Sequence, residues 1–111
     1  MIYYHRNQWP WGRSTIITSH NGAGTVKVSI EDLELNTAYI SALSVVENKR
    51  RKGFGRELLK LAEREAKRLG AQIVKLSSVD GSFTLNWYQN EGYVIEKYNS
   101  VEGGTVLKKV L

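Results

Sequence analysis

The sequence predicts an α/β fold with a mixed, mostly antiparallel sheet, and three observations support it. Two strand-like runs flank His20-Asn21-Gly22, and Asn-Gly accepts the positive φ angles of a tight hairpin turn. Residues 37–79 form a strand–helix–strand unit, which favours a central parallel pair. Residues 93–111 add two closing strands around a glycine turn. We therefore expect one domain spanning residues 1–111, with two main helices.

The strands follow from local patterns. Val26, Val28 and Ile30 alternate with polar residues, which indicates a strand with one buried face. The run 37–46 is almost entirely apolar or small, which predicts a central strand. Residues 7–12 predict a turn. The predicted strands are 13–19, 23–30, 37–46, 72–79, 93–98 and 105–111, and Ile2–His5 can add a short one; an acidic connector spans 31–36.

Two helices complete the prediction. Residues 56–69 carry an apolar stripe at helical spacing, made by Leu58, Leu59, Ala62, Ala66 and Leu69. Gly70 fits its C-terminal cap. A shorter helix begins at Ser82, a good N-cap, and ends before Gly92. The firm elements thus follow the order β-β-β-α-β-α-β-β.

Composition excludes several classes of protein. There is no cysteine, so disulfide frameworks and thiol chemistry are excluded. Two histidines, His5 and His20, are too few for a histidine-rich metal centre, and we expect no metal. No apolar run approaches the roughly 20 residues that span a bilayer. We therefore expect a cytoplasmic protein without a membrane partner.

The positive charge is concentrated in one segment. The chain has a net charge of +5, yet residues 49–68 alone hold nine basic and three acidic side chains. The other residues carry seven bases and eight acids. Such a local cluster favours a compact anionic ligand and makes nucleic acid an unlikely partner.

The cluster surrounds a glycine loop at the start of the first helix. Gly53 and Gly55 let a ligand approach the backbone, and the helix dipole favours an anion there. Full charges come from Arg50, Arg51, Lys52 and Arg56. Neither the P-loop motif nor the G-x-G-x-x-G dinucleotide motif is present, since Leu58 occupies the last glycine position of the latter. The loop therefore predicts a diphosphate site of another kind.

The stretch resembles the signature of the GNAT acetyltransferase superfamily, [RQ]-x-x-G-x-[GA] after a strand ending L-x-V. Here it stands as Leu43-Ser44-Val45 followed by Arg50-Arg51-Lys52-Gly53-Phe54-Gly55. The later segment Trp87-Tyr88 before Gly92-Tyr93 is similar to the family's aromatic segment, and the closing strand is similar to its last core strand. The resemblance covers about residues 37–111.

The resemblance implies acetyl-CoA as cofactor. Backbone amides of Arg51 to Arg56 would hold the pyrophosphate, and the backbone of Leu43 to Val45 would pair with the pantetheine arm where the two central strands splay apart. A backbone amide there would polarise the acetyl carbonyl. Tyr88 matches the family's general acid for the leaving thiolate, although simple core packing of Tyr88 beside Trp87 and Tyr93 is the alternative.

The acceptor side is less complete in the sequence. Thr37, Tyr39 and Ser41 stand at family positions that carry Glu or His in some members, and none is a good base. Asp32 and Glu34 are the candidate bases, with a water chain as the alternative. No amphipathic helix fits before Thr37, so we expect an open site or one completed by a second subunit, which leaves a homodimer open. Gly81, where the family often has Asn, implies one fewer CoA contact.

The sequence therefore predicts an N-acetyltransferase that moves acetyl from acetyl-CoA to a primary amine, on a small molecule or a peptide, by direct attack. Two alternatives stay open. One is a CoA-binding module without turnover, and the other is a small basic nucleic-acid-binding protein.

Overall fold

A computed structural model describes residues 2–19, 22–46, 53–78, 82–100 and 104–111. Seven strands and two helices follow one another in these ranges. The strands are β1 (Tyr3–Trp9), β2 (Gly12–Ser19), β3 (Gly24–Glu31), β4 (Thr37–Val45), β5 (Ile73–Ser78), β6 (Val94–Ser100) and β7 (Gly104–Val110). The helices are α1 (Phe54–Arg68) and α2 (Ser82–Asn90), and a 3₁₀ turn spans Asp32–Glu34.

All seven strands join one sheet in the order β1-β2-β3-β4-β5-β7-β6. Every neighbouring pair is antiparallel except β4 and β5. The predicted mixed sheet with one central parallel pair is confirmed, and β4 is its middle strand. The predicted α/β fold with two main helices is confirmed with it.

The first hairpin differs from the prediction, because residues 7–9 continue β1 instead of forming a turn. Asn7, Gln8 and Trp9 pair with residues of β2 in unbroken register. Only Pro10 and Trp11 lie in the turn. Because β1 is an edge strand whose residues are nearly all exposed, it lacks the apolar alternation that marks a strand in sequence. Four strands therefore precede α1, one more than the firm prediction.

The core lies between α1 and strands β2 to β4. The predicted stripe of α1 is buried, and so are Val26, Val28 and Ile30 on the facing side of β3. Gly24 permits the close approach of helix and sheet, since a Cβ at that position would clash with the Leu58 side chain. The alternation in β3 and the stripe in α1 thus determine which faces meet.

The same helix also carries two buried carboxylates, Glu63 and Glu65. Glu63 accepts a hydrogen bond from the Tyr93 hydroxyl at 2.9 Å and a second one from Lys109 at 3.2 Å. Burial first, and then the charge of Glu63, raise the pKa of Tyr93 far above its usual value. The pair Glu63–Tyr93 joins α1 to the segment that follows α2.

Candidate active site

The parallel strands β4 and β5 stay together for only a short distance. Their ladder holds three residue pairs, Thr37 with Ile73, Ala38 with Val74 and Tyr39 with Lys75. Beyond Tyr39, β4 continues beside β3, while β5 continues beside β7. The predicted splay of the central pair is therefore present, and it opens toward the carboxyl ends of both strands.

A β-bulge on β4 marks the divergence. Lys27 pairs with Ser41 and Thr25 with Ser44, so Ala42 and Leu43 together oppose one residue of β3. Ala42 has a φ of 54°, a left-handed conformation that few residues other than glycine adopt. The extra residue bends the strand and reverses the order in which its side chains alternate.

The reversal sets the orientation of the predicted pantetheine strand, residues 43–45. Ala38 and Ile40 face the core before the bulge, whereas Leu43 and Val45 pack against it afterwards. Ser44 is exposed. Leu43 and Val45 therefore anchor the strand through their side chains, and its backbone runs along the opening.

Helix α1 begins at the same end of the sheet. Its N-cap residue, Gly53, has a φ of 81°, and no side chain among the described residues caps the helix. A Cβ on Gly53 would meet no described residue within 4 Å, so on that side the backbone has room for a ligand. The first N–H groups of a helix have no partner within it, and the dipole makes this end positive. The predicted residues Arg50, Arg51 and Lys52 lie outside the described residues.

Trp87 of α2 lies against this helix start. A Cβ on Gly55 would stand 3.8 Å from the Trp87 ring and 4.0 Å from the Val45 side chain. Val45, Gly55 and Trp87 thus bring β4, α1 and α2 together at one place. The sequence placed Trp87 beside Tyr88 but did not assign it to the site.

The Arg56 side chain has a protein partner. Its Nε lies 3.1 Å from Oε1 of Glu91, and the Arg56 side chain remains 68% exposed. The pair links the start of α1 to the residue that follows α2. No local pattern in sequence marks Glu91 as this partner, because 35 residues separate the two.

Tyr88 is held by aromatic contacts on both sides. Its ring makes edge-to-face contacts with Trp87, at 5.0 Å between centroids, and with Tyr93, at 5.9 Å. The Tyr88 carbonyl accepts the Tyr93 N–H at 3.1 Å. Tyr88 is partly buried against the core and sits one residue from Trp87. The packing interpretation and the site interpretation of Tyr88 are therefore compatible.

A carboxylate–phenol pair stands where the central strands part. The Tyr39 hydroxyl donates to Oε2 of Glu34 at 2.9 Å. Burial first, and then Glu34, raise the pKa of Tyr39 above its usual value, so Tyr39 stays protonated at neutral pH. Tyr39 is thus a hydrogen-bond donor to Glu34. The sequence indicated Glu34 and Asp32 as candidate bases but did not indicate Tyr39 as a partner of Glu34.

The remaining predicted residues are either exposed or outside the described residues. Asp32 is exposed in the 3₁₀ turn. His5 is exposed on β1, which β2 and β3 separate from β4. His20 and Gly81 lie outside the described residues. Over residues 2–46, apart from 20 and 21, there is no α-helix.

In the described ranges, no three His, Cys, Asp or Glu side chains cluster as metal ligands would. The helices described there are too short or too polar to cross a membrane.

Comparison with known proteins places the chain in a family. The family model described as acetyltransferase (GNAT) family matches residues 2–94. The match takes in the N-terminal hairpins, which the sequence motifs did not reach, and it ends at the first residue of β6. No curated protein matches the chain by sequence.

Solved structures show the same fold. Nourseothricin acetyltransferase superposes with a TM-score of 0.74 at 19% identity, over 91% of this chain and 66% of its own. The chain thus spans just under two thirds of that protein. A putative GNAT acetyltransferase from Desulfovibrio desulfuricans gives 0.75 at 12% identity, over 99% of both chains. PaiA N-acetyltransferase from Thermoplasma acidophilum, solved in complex with coenzyme A, gives 0.70 at 19% identity, over 88% of this chain and 60% of its own. By the family match and the fold together, the chain belongs to the GNAT acetyltransferase family.

Proposed function

We propose that the chain is an N-acetyltransferase that moves acetyl from acetyl-CoA to a primary amine by direct attack. One observation carries the proposal: β4 and β5 part on the side of the sheet where α1 begins, and that helix start is capped by a glycine and, among the described residues, by no side chain. An extended arm would lie between the strands, and a diphosphate would bind at the helix start. We further propose that residues 1–111 act as one domain in this reaction.

The residues present fit the cofactor. A diphosphate needs N–H donors and positive potential, and the start of α1 supplies both around Gly53 and Gly55. Because a Cβ on Gly53 would fill empty space, a ligand has room to approach the backbone there. The backbone of residues 43–45 would pair with the pantetheine arm, since side chains on both sides of Ser44 anchor that strand. Arg50, Arg51 and Lys52 would add charge.

The cofactor supplies an acyl thioester, which an amine can attack. Tyr88 would give a proton to the departing sulfur, because a phenol with a pKa near 10 can share a proton with a thiol of about 8.5. The two aromatic neighbours of Tyr88 fix its ring and so limit the entropy lost in orienting it.

Glu34 would serve the acceptor side. An amine arrives as an ammonium and must lose a proton before it attacks. Glu34 is an exposed carboxylate held by Tyr39 at the point where the strands part. Glu31 lies close enough to contribute to the raised pKa of Tyr39. This local negative charge favours a cationic acceptor, such as a polyamine or a lysine side chain.

Thermal unfolding with acetyl-CoA tests cofactor binding. Ligand at about 100 times its dissociation constant should add about 2.7 kcal/mol of stability. The double variant Arg51→Glu with Lys52→Glu should lose this gain and keep the unliganded melting temperature. No gain for the wild type with acetyl-CoA or CoA at millimolar concentration would refute the proposal.

A second candidate, a CoA-binding module without turnover, is favoured by one observation. The β4 side chains at the divergence, Thr37, Tyr39 and Ser41, include no carboxylate or imidazole. Release of free thiol from acetyl-CoA with a panel of amines separates the candidates. The enzyme should release thiol, and Tyr88→Phe should lower the rate at least about tenfold with little change in CoA affinity. Equal losses of rate and affinity would make Tyr88 a packing residue.

A further inference from the structure

We propose that a pocket at the opposite end of α1 binds a compact, doubly charged oxyanion, such as a phosphate group or a small dicarboxylate. The pocket lies between the β1–β2 hairpin and the C-terminal end of α1 and has a volume of about 260 Å³. Three arginines line it, Arg6 on β1, Arg13 on β2 and Arg68 on α1. Their arrangement carries the proposal.

Glu65 fixes two of these arginines. Its carboxylate is almost completely buried and accepts hydrogen bonds from Nε of Arg6 and Nε of Arg68, both at 2.9 Å. A second nitrogen of each guanidinium also donates to it, at 3.1 Å from Arg6 and 2.9 Å from Arg68. Thr15 adds a hydroxyl donor at 2.6 Å. Both guanidinium groups are therefore held in place before any ligand arrives.

Donors remain on the outer side of both arginines. A guanidinium has five N–H groups in a planar fork, and Glu65 engages only the Nε edge of each. The Arg6 and Arg68 side chains are 48% and 52% exposed. Binding would therefore meet little entropy loss, because the side chains are already ordered.

Arg13 adds a third fixed cation. It donates to the carbonyl of Leu69 at 3.1 Å, just beyond the last residue of α1. The buried Glu65 carboxylate accounts for the positions of Arg6 and Arg68. It provides no countercharge for Arg13. Among the lining residues there is no Asp or Glu, and Glu65 behind them supplies one negative charge to three positive ones.

The chemistry of the pocket selects the ligand class. Guanidinium forks match the oxygens of phosphate and carboxylate groups, and two unbalanced positive charges favour a dianion. Asn7, Gln8 and Ser14 lie in the same wall and offer neutral hydrogen-bonding groups. The volume suits a few non-hydrogen atoms with water, since each water occupies about 30 Å³ of liquid.

This pocket is separate from the proposed cofactor site. Helix α1 has 15 residues, so its two ends lie about 22 Å apart. The inference does not depend on the proposed function. An inactive protein could still bind an anion here, and an active one could fail to.

Two-dimensional ¹⁵N NMR titration with inorganic phosphate and, separately, with succinate tests the proposal. We expect saturable shifts at the amides of Ser14, Thr15 and Leu69 with at least one of the two anions. The anion that binds more tightly shows whether the pocket prefers a phosphate group or a dicarboxylate. Absence of saturation at these amides up to about 10 mM of both anions, or shifts confined to residues 53–56, would overturn it.

Matched variants distinguish anion binding at this pocket from general electrostatic attraction of anions to a basic protein. Arg13→Gln should weaken anion binding at least about tenfold. Arg64→Gln removes the same charge from an exposed position of α1 outside the pocket and should leave the affinity unchanged. Equal weakening in the two variants would overturn the proposal. If Arg13→Gln does not fold, Arg13→Lys replaces it, and wild-type affinity there would contradict recognition by the guanidinium fork.

Discussion

The two ends of helix α1 are built in opposite ways. At the C-terminal end, the N–H of Gly70 donates to Lys67 at 3.0 Å and that of Ala71 to Ala66 at 3.0 Å. Arg13 donates a hydrogen bond to the Leu69 carbonyl, and the pair of Glu65 and Arg68 lies within the last turn. At the N-terminal end, the cap is a glycine with left-handed φ, and no side chain among the described residues caps it. The C-terminal end, which protein groups cap, is the closed end, and the N-terminal end, where the cofactor is proposed to bind, is the open end.

The basic residues near the two ends act differently on the helix dipole. Arginines near a helix C-terminus complement the dipole and stabilise the fold on their own. Basic residues near the helix start oppose the dipole and become favourable only with a bound anion. Residues 49–56 supply five bases, of which Arg56 pairs with Glu91, so the sequence itself carries the asymmetry.

The largest expected effect concerns the closed end. Glu65→Gln keeps the side-chain shape but removes the charge that holds Arg6 and Arg68. Because the carboxylate is nearly fully buried, we expect a loss of about 2–4 kcal/mol in the free energy of unfolding. Acetyl-CoA affinity of the folded variant should stay at the wild-type value. Urea unfolding and calorimetric binding measure the two quantities.

Glu57→Gln is the matched control for that change. Glu57 is an exposed acid in the first turn of the same helix, where it complements the dipole, so its loss should cost at most about 1 kcal/mol. Comparable losses in the two variants would mean that the closed end has no special role in stability.

Acid should weaken the closed end through the same residue. Hydrogen bonds from Arg68, followed by those from Arg6 and Thr15, hold the pKa of Glu65 well below its usual value of 4.5. The unfolded chain takes up this proton near that value, whereas the folded chain resists it. The stabilisation is therefore complete above about pH 4.5 and declines as the pH falls below it.

Urea midpoints measured from neutral pH to about pH 3 test this. The wild type should lose more stability than Glu65→Gln, and the two curves should converge. Parallel curves would show that Glu65 does not drive the acid response.

The smallest expected effect concerns the open end. Gly55 lies in the first turn of α1, and a Cβ there would make ordinary contacts with Trp87 and Val45. Gly55→Ala should therefore raise stability by about 0.5–1 kcal/mol through helix propensity. The added Cβ points toward these side chains. Lower stability in Gly55→Ala would show that the added methyl group is not accommodated beside Trp87.

Local patterns predicted much of this arrangement. The stripe of α1, the alternation of β3 and the apolar run of β4 each reflect burial on a known side, and the structure confirms all three. The glycines at 53 and 70 mark the two ends of α1 because their φ angles are positive.

Other features depend on residues that are distant in sequence, so local sequence patterns could not predict them. The Arg6–Glu65 pair joins residues 59 apart, and the Arg56–Glu91 pair joins residues 35 apart. The bulge at Ala42 arises from register with β3 and leaves no mark in composition. One signal was available, since Glu63 and Glu65 stand at stripe spacing within the apolar face of α1 and so predict buried, partnered carboxylates.

Calorimetric titration of acetyl-CoA into Gly53→Ala and Gly70→Ala tests the central claim most directly. Both glycines have positive φ, 81° and 103°, and a Cβ on either would meet no described residue within 4 Å. Each change should therefore lower stability similarly, by about 1 kcal/mol. If the open end of α1 holds the diphosphate, Gly53→Ala should weaken acetyl-CoA binding by about tenfold, or about 1.4 kcal/mol, while Gly70→Ala binds like the wild type. Equal affinities in the two variants would contradict the account.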